Sequence, residues 1–246
     1  MKFIGRNAVS LAGKTVLVTG ASAGIGWYTA LAFARQGAHL VVTARREDRL
    51  KTLCTEIAAL GGKAVFFAGD AVEEVTAQRS VALALDTFGS LDVVIANAGA
   101  GNYKDLVETS AEEYDQLMNS NMRSSFLIAR HAAPAMIGQK GGVIQFISSI
   151  AGLQGFAGEA VYCATKFAQV GFAQALDAEL RKHNINVGVI CPGGTKTEFA
   201  LGKGRTQEYI DNSDMMEPEE VAETIVFACM QPPNLRISQM TLRHMR

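Results

Sequence analysis

The chain has 246 residues, with 23 Lys and Arg against 24 Asp and Glu and a formal net charge of −1. It is long enough, and at 48% hydrophobic apolar enough, to bury one large core. Its charges are well mixed, and the lack of a basic block or arm excludes the usual signature of a nucleic-acid partner.

Short β-rich runs alternate with helical segments from end to end. "TVLVT" (15–19) reads as the first strand, and "IGWYTALAFARQ" (25–36) carries apolar residues at helical spacing. "HLVVT" (39–43) is a strand, and "EDRLKTLCTEIAAL" (47–60) is an amphipathic helix stopped by Gly61 and Gly62. Further strands are expected at 63–68, 93–97, 142–147, 186–191 and 237–242, with helices near 72–88, 110–138, 159–183 and 218–230. Several strands are apolar runs rather than alternating ones, as strands buried on both faces are. The pattern predicts one α/β domain over 1–246, a doubly wound Rossmann-type sheet of about seven parallel strands with helices on both faces. The polar, Gly-containing stretch 193–217 lies between a strand and a helix that starts at Pro218, and is expected to be a substrate lid.

Cys54, Cys163, Cys191 and Cys229 are far apart, with no C-x-x-C pair, and fit reduced thiols. His39, His131, His183 and His244 are equally scattered, so no metal site is expected. No segment has the apolar length of a membrane span, and "MKFIGRNAVSLAGK" lacks the apolar region of a signal peptide. No membrane partner and a cytoplasmic location are therefore expected.

Directly after the first strand comes "TGASAGIG" (19–26). Gly20, Gly24 and Gly26 fall at the strand-to-helix turn, where glycine lets backbone approach a phosphate without a Cβ in the way. The following helix N-terminus offers free N–H groups and a partial positive charge to a pyrophosphate. The second strand leads into "TARRED": Ala44 stands where a carboxylate would bind the ribose of NAD, and Arg45 and Arg46 follow. A carboxylate repels a 2′-phosphate and an Arg fork pairs with one, so NADP(H) is expected, with Arg45 the main contact. In "VYCATK", Tyr162 and Lys166 stand one helical turn apart.

With its Gly-x-x-x-Gly-x-Gly turn, the sequence resembles the short-chain dehydrogenase/reductase family in its roughly 250-residue form. The likeness runs over about residues 10–242 and continues in order through Asn97-Ala98-Gly99, Asn121, Ser149 in "FISS", Tyr162 and Lys166, and Pro192-Gly193 with Thr197. It implies that Tyr162 protonates the substrate oxygen and that Ser149 holds that oxygen by a hydrogen bond. It implies that Lys166 binds the nicotinamide ribose and, as a cation, lowers the Tyr162 pKa. Asn121 would hold a water in a relay from Lys166 to solvent.

The same resemblance implies a cofactor site made of several segments. Ser22 and Ile25 belong to the glycine turn, and Asp70 with Ala71 meets the adenine. Asn97, Ala98 and Gly99 close the fourth strand, Asn97 tying neighbouring strands together. Pro192, Gly193, Thr195 and Thr197 hold the nicotinamide end.

The sequence departs from the family pattern at Trp27 and Tyr28, where smaller residues are commoner. It departs again at Ala23, where some relatives that use NADP carry a basic residue. Ala100, Ile150, Phe156, Glu159, Gly193, Phe199, Tyr209 and Met215 are expected to bound a fairly apolar substrate pocket, with Lys196 or Arg205 as the lid cations able to meet an acid. The expected activity is hydride transfer between NADP(H) and a carbonyl or secondary alcohol, in a homotetramer or homodimer. The alternative is an NADP(H)-binding sensor or scaffold that keeps the fold but not the turnover.

Overall fold

The structure, a computed structural model, describes residues 9–245; residues 1–8 and 246, which the predicted domain included, lie outside it. Seven strands form one sheet: β1 (Thr15–Thr19), β2 (His39–Ala44), β3 (Lys63–Ala68), β4 (Val93–Ala96), β5 (Gly142–Ile147), β6 (Ile185–Pro192) and β7 (Gln239–Leu242). Their order is β3-β2-β1-β4-β5-β6-β7, and every pairing is parallel. All five residues of β1 and all four of β4 are buried, which fits the apolar centre of β1, Val16 to Val18, and the apolar run of β4.

Helices cover both faces. On one, α1 (Gly24–Arg35), α2 (Glu47–Ala59) and α8 (Pro218–Cys229) bury Phe33, Leu50 and Ile225 against Val16 and Val42 of the sheet. On the other, α3 (Glu74–Phe88), α5 (Ser124–Gln139) and α6 (Ala160–Leu180) bury Ala84, Met136 and Val170 against Leu17, Val94 and Val187. Trp27 and Tyr28, unusual after a glycine turn, pack along the first of these cores.

Two expected helices are not single. The segment 110–138 is α4 (Ala111–Met118), then a π turn over Asn119–Arg123, then α5. A π turn widens the helix by one residue per turn, and this one turns Asn121 fully inward. The segment 159–183 is α6 followed by a 3-10 turn, Arg181–His183, that stops at Asn184 with φ +59°. The polar stretch 193–217 has its own order. It holds α7 (Gln207–Asp211) and two bridges, Thr195 with Met216 and Leu201 with Arg205.

The chain winds outward from β1 to β3, then returns to lay β4 on the other side of β1. The loops after β1 and β4 therefore part in opposite directions and open a crevice at the carboxyl ends of the strands.

Candidate active site

The crevice is built first by glycine. Gly20 has φ +67° and Gly24 φ +53°, a region a side chain strongly disfavours. A Cβ on Gly26 would run into the Gly20 carbonyl oxygen and come within 2.5 Å of Asn97 Nδ2. That close approach draws α1 against the loop after β4. Asn97 secures it, donating from Nδ2 to the carbonyls of Thr19 (2.9 Å) and Gly20 (3.3 Å). Its backbone N–H and that of Ala98 donate to Thr19 Oγ1 at 3.0 and 2.9 Å. Helix α1 starts at Gly24 with no side-chain cap and no acidic residue in its first turn. Its leading N–H groups and positive dipole end thus fit an anion such as a pyrophosphate.

The two arginines after β2 behave differently. Arg46 is held against the glycine turn, donating from Nε to Ser22 Oγ (3.1 Å) and from Nη2 to the Ser22 carbonyl (3.3 Å). Its Nη1 meets Glu198 Oε2 at 2.7 Å, and Arg49 approaches the other Glu198 oxygen at 3.5 Å. The Arg45 side chain is 79% exposed and only 4.0 Å from Asp70 Oδ2, so it is less constrained than Arg46. Glu198 carries no motif signal, and its place is visible only once the segment after β6 has folded over the crevice.

At the far end lie Ser149, Tyr162 and Lys166. The Ser149 hydroxyl, just past β5, accepts from the Ala151 N–H at 3.1 Å. Tyr162 and Lys166 are both buried on α6, the ammonium nitrogen 5.7 Å from the centre of the Tyr162 ring. Lys166 Nζ donates to the Ile147 carbonyl at 3.0 Å and to Gln169 Oε1 at 2.9 Å. Burial pushes the Tyr162 phenol above its ordinary range, with Tyr103 adding to the rise and the Ser149 hydroxyl opposing it. Burial likewise draws Lys166 down to about 7. Desolvation is the largest influence on Tyr162 here, so the direction of its shift is set by burial rather than lowered as expected from its lysine. Cys191 faces Lys166 as a thiol, pushed up to about 11 by burial.

One cavity of about 930 Å³ runs between these two ends. Gly20, Ser22, Gly24, Ile25, Arg45, Arg46, Asp70 and Ala71 line its nucleotide side. Asn97, Ala98, Gly99, Pro192, Gly193, Thr195 and Thr197 line its middle, and Ser149, Tyr162 and Lys166 its base. Two predicted residues stand behind the wall. Gly26 sits in the helix start, and Asn121 is fully buried, its side chain clasping both backbone groups of Ala100 (2.7 and 3.0 Å) and donating to Thr165 Oγ1 (2.8 Å).

All eight expected substrate-side residues, from Ala100 to Met215, also reach the cavity. Lys196 turns away to Glu217, 2.8 Å distant. Arg205 turns in, its guanidinium 5.4 Å from the Tyr103 ring centre and 6.0 Å from that of Phe199. Those two rings pack on Tyr162 at 5.6 and 5.8 Å. Sequence reasoning passed over Tyr103, which lies six residues beyond Asn97 with no pattern to mark it. It passed over Gln169 as well, although a polar residue on the buried face of an otherwise apolar helix is a readable signal. Among the described residues no group of three His, Cys, Asp or Glu could hold a metal ion, and no helix is long and apolar enough to cross a membrane.

A parallel sheet reversing its winding at β1 and β4, a glycine turn at that reversal and a buried Tyr–Lys pair along the same cavity define a Rossmann-type α/β protein. The chain belongs to the short chain dehydrogenase family, whose model matches residues 14–208. It is 34% identical to an uncharacterized oxidoreductase of Thermotoga maritima over 227 residues, 88% of this chain and 90% of that one. A metagenomic short-chain oxidoreductase solved in complex with NADP is 32% identical, with TM-score 0.82, covering 95% of this chain and 98% of the other. An alcohol dehydrogenase of Thermococcus sibiricus, solved with 5-hydroxy-NADP, is 26% identical with TM-score 0.86, covering 94% and 97%. The protein is thus an oxidoreductase of a family that binds a nicotinamide cofactor and acts on small molecules.

Proposed function

We propose that the protein is an NADP(H)-dependent carbonyl reductase or alcohol dehydrogenase. The observation that carries this reading is the burial of Tyr162 and Lys166 beside Ser149, at the base of the same cavity that the glycine turn lines. Bound there, NADPH supplies a hydride to a carbonyl carbon, and NADP+ accepts one in the reverse direction.

The residues present fit such a cofactor. The uncapped start of α1 takes the pyrophosphate, and Gly20, Gly24 and Gly26 let backbone come near it. Ser22, Arg45 and Arg46 receive the 2′-phosphate of NADP(H), with Ala44 leaving no carboxylate to repel it. Asp70 and Ala71, which line the cavity, would hold the adenine, Ile25, Asn97, Ala98 and Gly99 the middle of the nucleotide, and Pro192, Gly193, Thr195 and Thr197 its nicotinamide end.

Catalysis then rests on the protein's own groups. Tyr162, kept protonated by burial, donates its phenolic proton to the substrate oxygen as negative charge develops there. Ser149 donates a hydrogen bond to the same oxygen. Lys166 orients the cofactor ribose and supplies positive charge beside Tyr162, and Asn121 holds the backbone of Ala100 at the cavity wall. Residues 193–217 form the lid, which brings Phe199 and Arg205 over the substrate end.

Arg205 and Glu159 both border this end, and among the described residues neither has an oppositely charged side chain within 4 Å. Charged carbonyl compounds therefore have groups to meet there as well as neutral ones. The four unpaired thiols fit a reducing cytoplasm, and symmetric assembly into a homodimer or homotetramer fits the common habit of soluble enzymes.

The test is NADPH oxidation by the purified protein against neutral ketones, aldehydes, keto acids and quinones, with hydroxy acids and hydroxy amino acids run in the oxidative direction. NADH and NAD+ serve in parallel. Turnover favouring the phosphorylated cofactor is expected. Tight NADPH binding without turnover on any class would favour the sensor alternative.

A further inference from the structure

Gln169 lies one turn beyond Lys166 on α6 and is fully buried. Both ends of its amide are engaged. The oxygen accepts from Lys166 Nζ at 2.9 Å. The nitrogen donates to the Asn121 carbonyl at 3.1 Å and to Ser125 Oγ at 2.7 Å. The Asn121 carbonyl also accepts from Ser125 Oγ at 2.7 Å. A carbonyl oxygen has two lone pairs, and these two well-formed bonds use both; the 3.4 Å approach of Ser124 Oγ adds only a marginal contact. The ammonium of Lys166 has three protons, of which Ile147 and Gln169 take two. One remains to face the cavity.

We infer that Gln169 is a positioning residue of the active site, a side-chain bridge that ties the Lys166 ammonium to the Asn121 carbonyl where the family resemblance places a water. The inference rests on the proposed function only in giving Lys166 its task; the geometry of the bridge stands without it. Three features follow from the chemistry of an amide. It is a neutral acceptor, so it favours the charged form of Lys166 against the desolvation that opposes it. It is covalently anchored to the helix that carries Tyr162 and Lys166, so it holds the lysine to one position. Together with the Ser125 hydroxyl it fills the acceptor sites of the Asn121 carbonyl, which then has no lone pair left for solvent.

The surroundings leave few other groups to do this. Lys166 faces Tyr162 on its own helix, Cys191 on β6, the Ile147 carbonyl at the end of β5, and Gln169. Asn121, Ser124 and Ser125, on the π turn and the start of α5, are uncharged. Around Tyr162 stand Tyr103, Glu159 and Arg205, which act on the phenol rather than on the lysine. Cys191 is a neutral thiol at neutral pH, so among the described residues the Gln169 oxygen is the side-chain acceptor that Lys166 has.

The experiment compares wild type with Gln169→Met, which keeps length and burial but loses both polar ends, and with Ser125→Ala, which removes one of the two groups that hold the amide nitrogen. The pKa of Lys166 is read directly by NMR of protein labelled with 13C at lysine Cε, the signal being assigned by its loss in Lys166→Arg. Gln169→Met is expected to lower the Lys166 pKa by about one unit, the usual size of a hydrogen-bond contribution, and Ser125→Ala by less. Fewer ammonium groups at a given pH leave Tyr162 harder to ionise. The rising limb of kcat/KM for alcohol oxidation should therefore move to higher pH by a similar amount. An unchanged Lys166 titration in Gln169→Met overturns the inference. If that variant does not fold, an unchanged titration in Ser125→Ala does so. The NMR reading needs no turnover, so a failed substrate panel would count against the proposed function and leave Gln169 to be judged on its own.

Discussion

Arg46 Nη1 and Glu198 Oε2 lie 2.7 Å apart, joining the start of α2 to the segment after β6 across 152 residues of sequence. The same guanidinium is anchored on Ser22 in the glycine turn. In the proposed NADP(H) site the carboxylate of Glu198 thus stands on the cation that the 2′-phosphate needs. Replacing Glu198 by Ala should tighten NADPH binding and leave NADH unchanged. Both side chains are about half exposed, 47% and 48%, so solvent screens the pair. The gain should be about 1.4- to fivefold, corresponding to the ~0.2–1 kcal/mol of an exposed pair. Fluorescence titration of both cofactors measures it, and equal tightening of NADH would dismiss the competition.

The two arginines can be separated by the same titration. Arg46 is already oriented by two bonds to Ser22, whereas Arg45 is mostly exposed. Arg46→Ala should weaken NADPH by roughly tenfold or more, the size of a charge-assisted bond, with little effect on NADH. Arg45→Ala should cost less. The reverse ranking would restore Arg45 to the leading place that its position in the sequence suggests.

Tyr162→Phe removes one oxygen from a ring packed between Tyr103 and Phe199. The packing survives, so NADPH affinity and the thermal midpoint should stay close to those of the wild type. Turnover should fall by about 10²–10⁴, the usual contribution of a placed general acid. A variant retaining a tenth of wild-type kcat would mean that another group protonates the substrate.

Acid should unfold the protein through two carboxylates remote from the cavity base. Burial acts to raise Asp177, but hydrogen bonds from Arg181 and Arg236, each 2.6 Å away, outweigh it and leave the carboxyl below its ordinary value. Asp92 behaves alike: burial is overcome by the Thr15 N–H, Lys14 and Ser90. A folded pKa below the unfolded one, about 3.9 for Asp, gives stability that is full above that value and is lost as pH falls through the folded pKa. The thermal midpoint should hold from neutral pH to about 5 and drop below about 4. Asp92→Asn and Asp177→Asn should be less stable at pH 7 and show a flatter acid limb. Limbs parallel to that of the wild type would clear both groups.

Much of the fold and of the site was legible because its signals are local. β1, β3 and β5 fall where the β-rich runs were read; β1 is buried along its whole length, and its central Val16, Leu17 and Val18 are apolar because the sheet is covered on both faces there. Gly20, Gly24 and Gly26 announce a turn because only glycine tolerates the dihedrals and the contacts there. Tyr162 and Lys166 are one helical turn apart by their spacing alone.

The π turn at Asn119–Arg123 was not legible, because the sequence spacing through it remains compatible with a continuous helix; packing against α6 selects the wider turn that sends Asn121 inward. Three further features belong to the tertiary structure. Gln169 meets Asn121 across 48 residues, and Arg46 meets Glu198 across 152. Desolvation, not the neighbouring lysine, sets the direction in which Tyr162 shifts. Backbone preferences and helical spacing act over a few residues and are written in the chain in order. Burial and long-range hydrogen bonds depend on which distant segments close over a group, and only folding decides that.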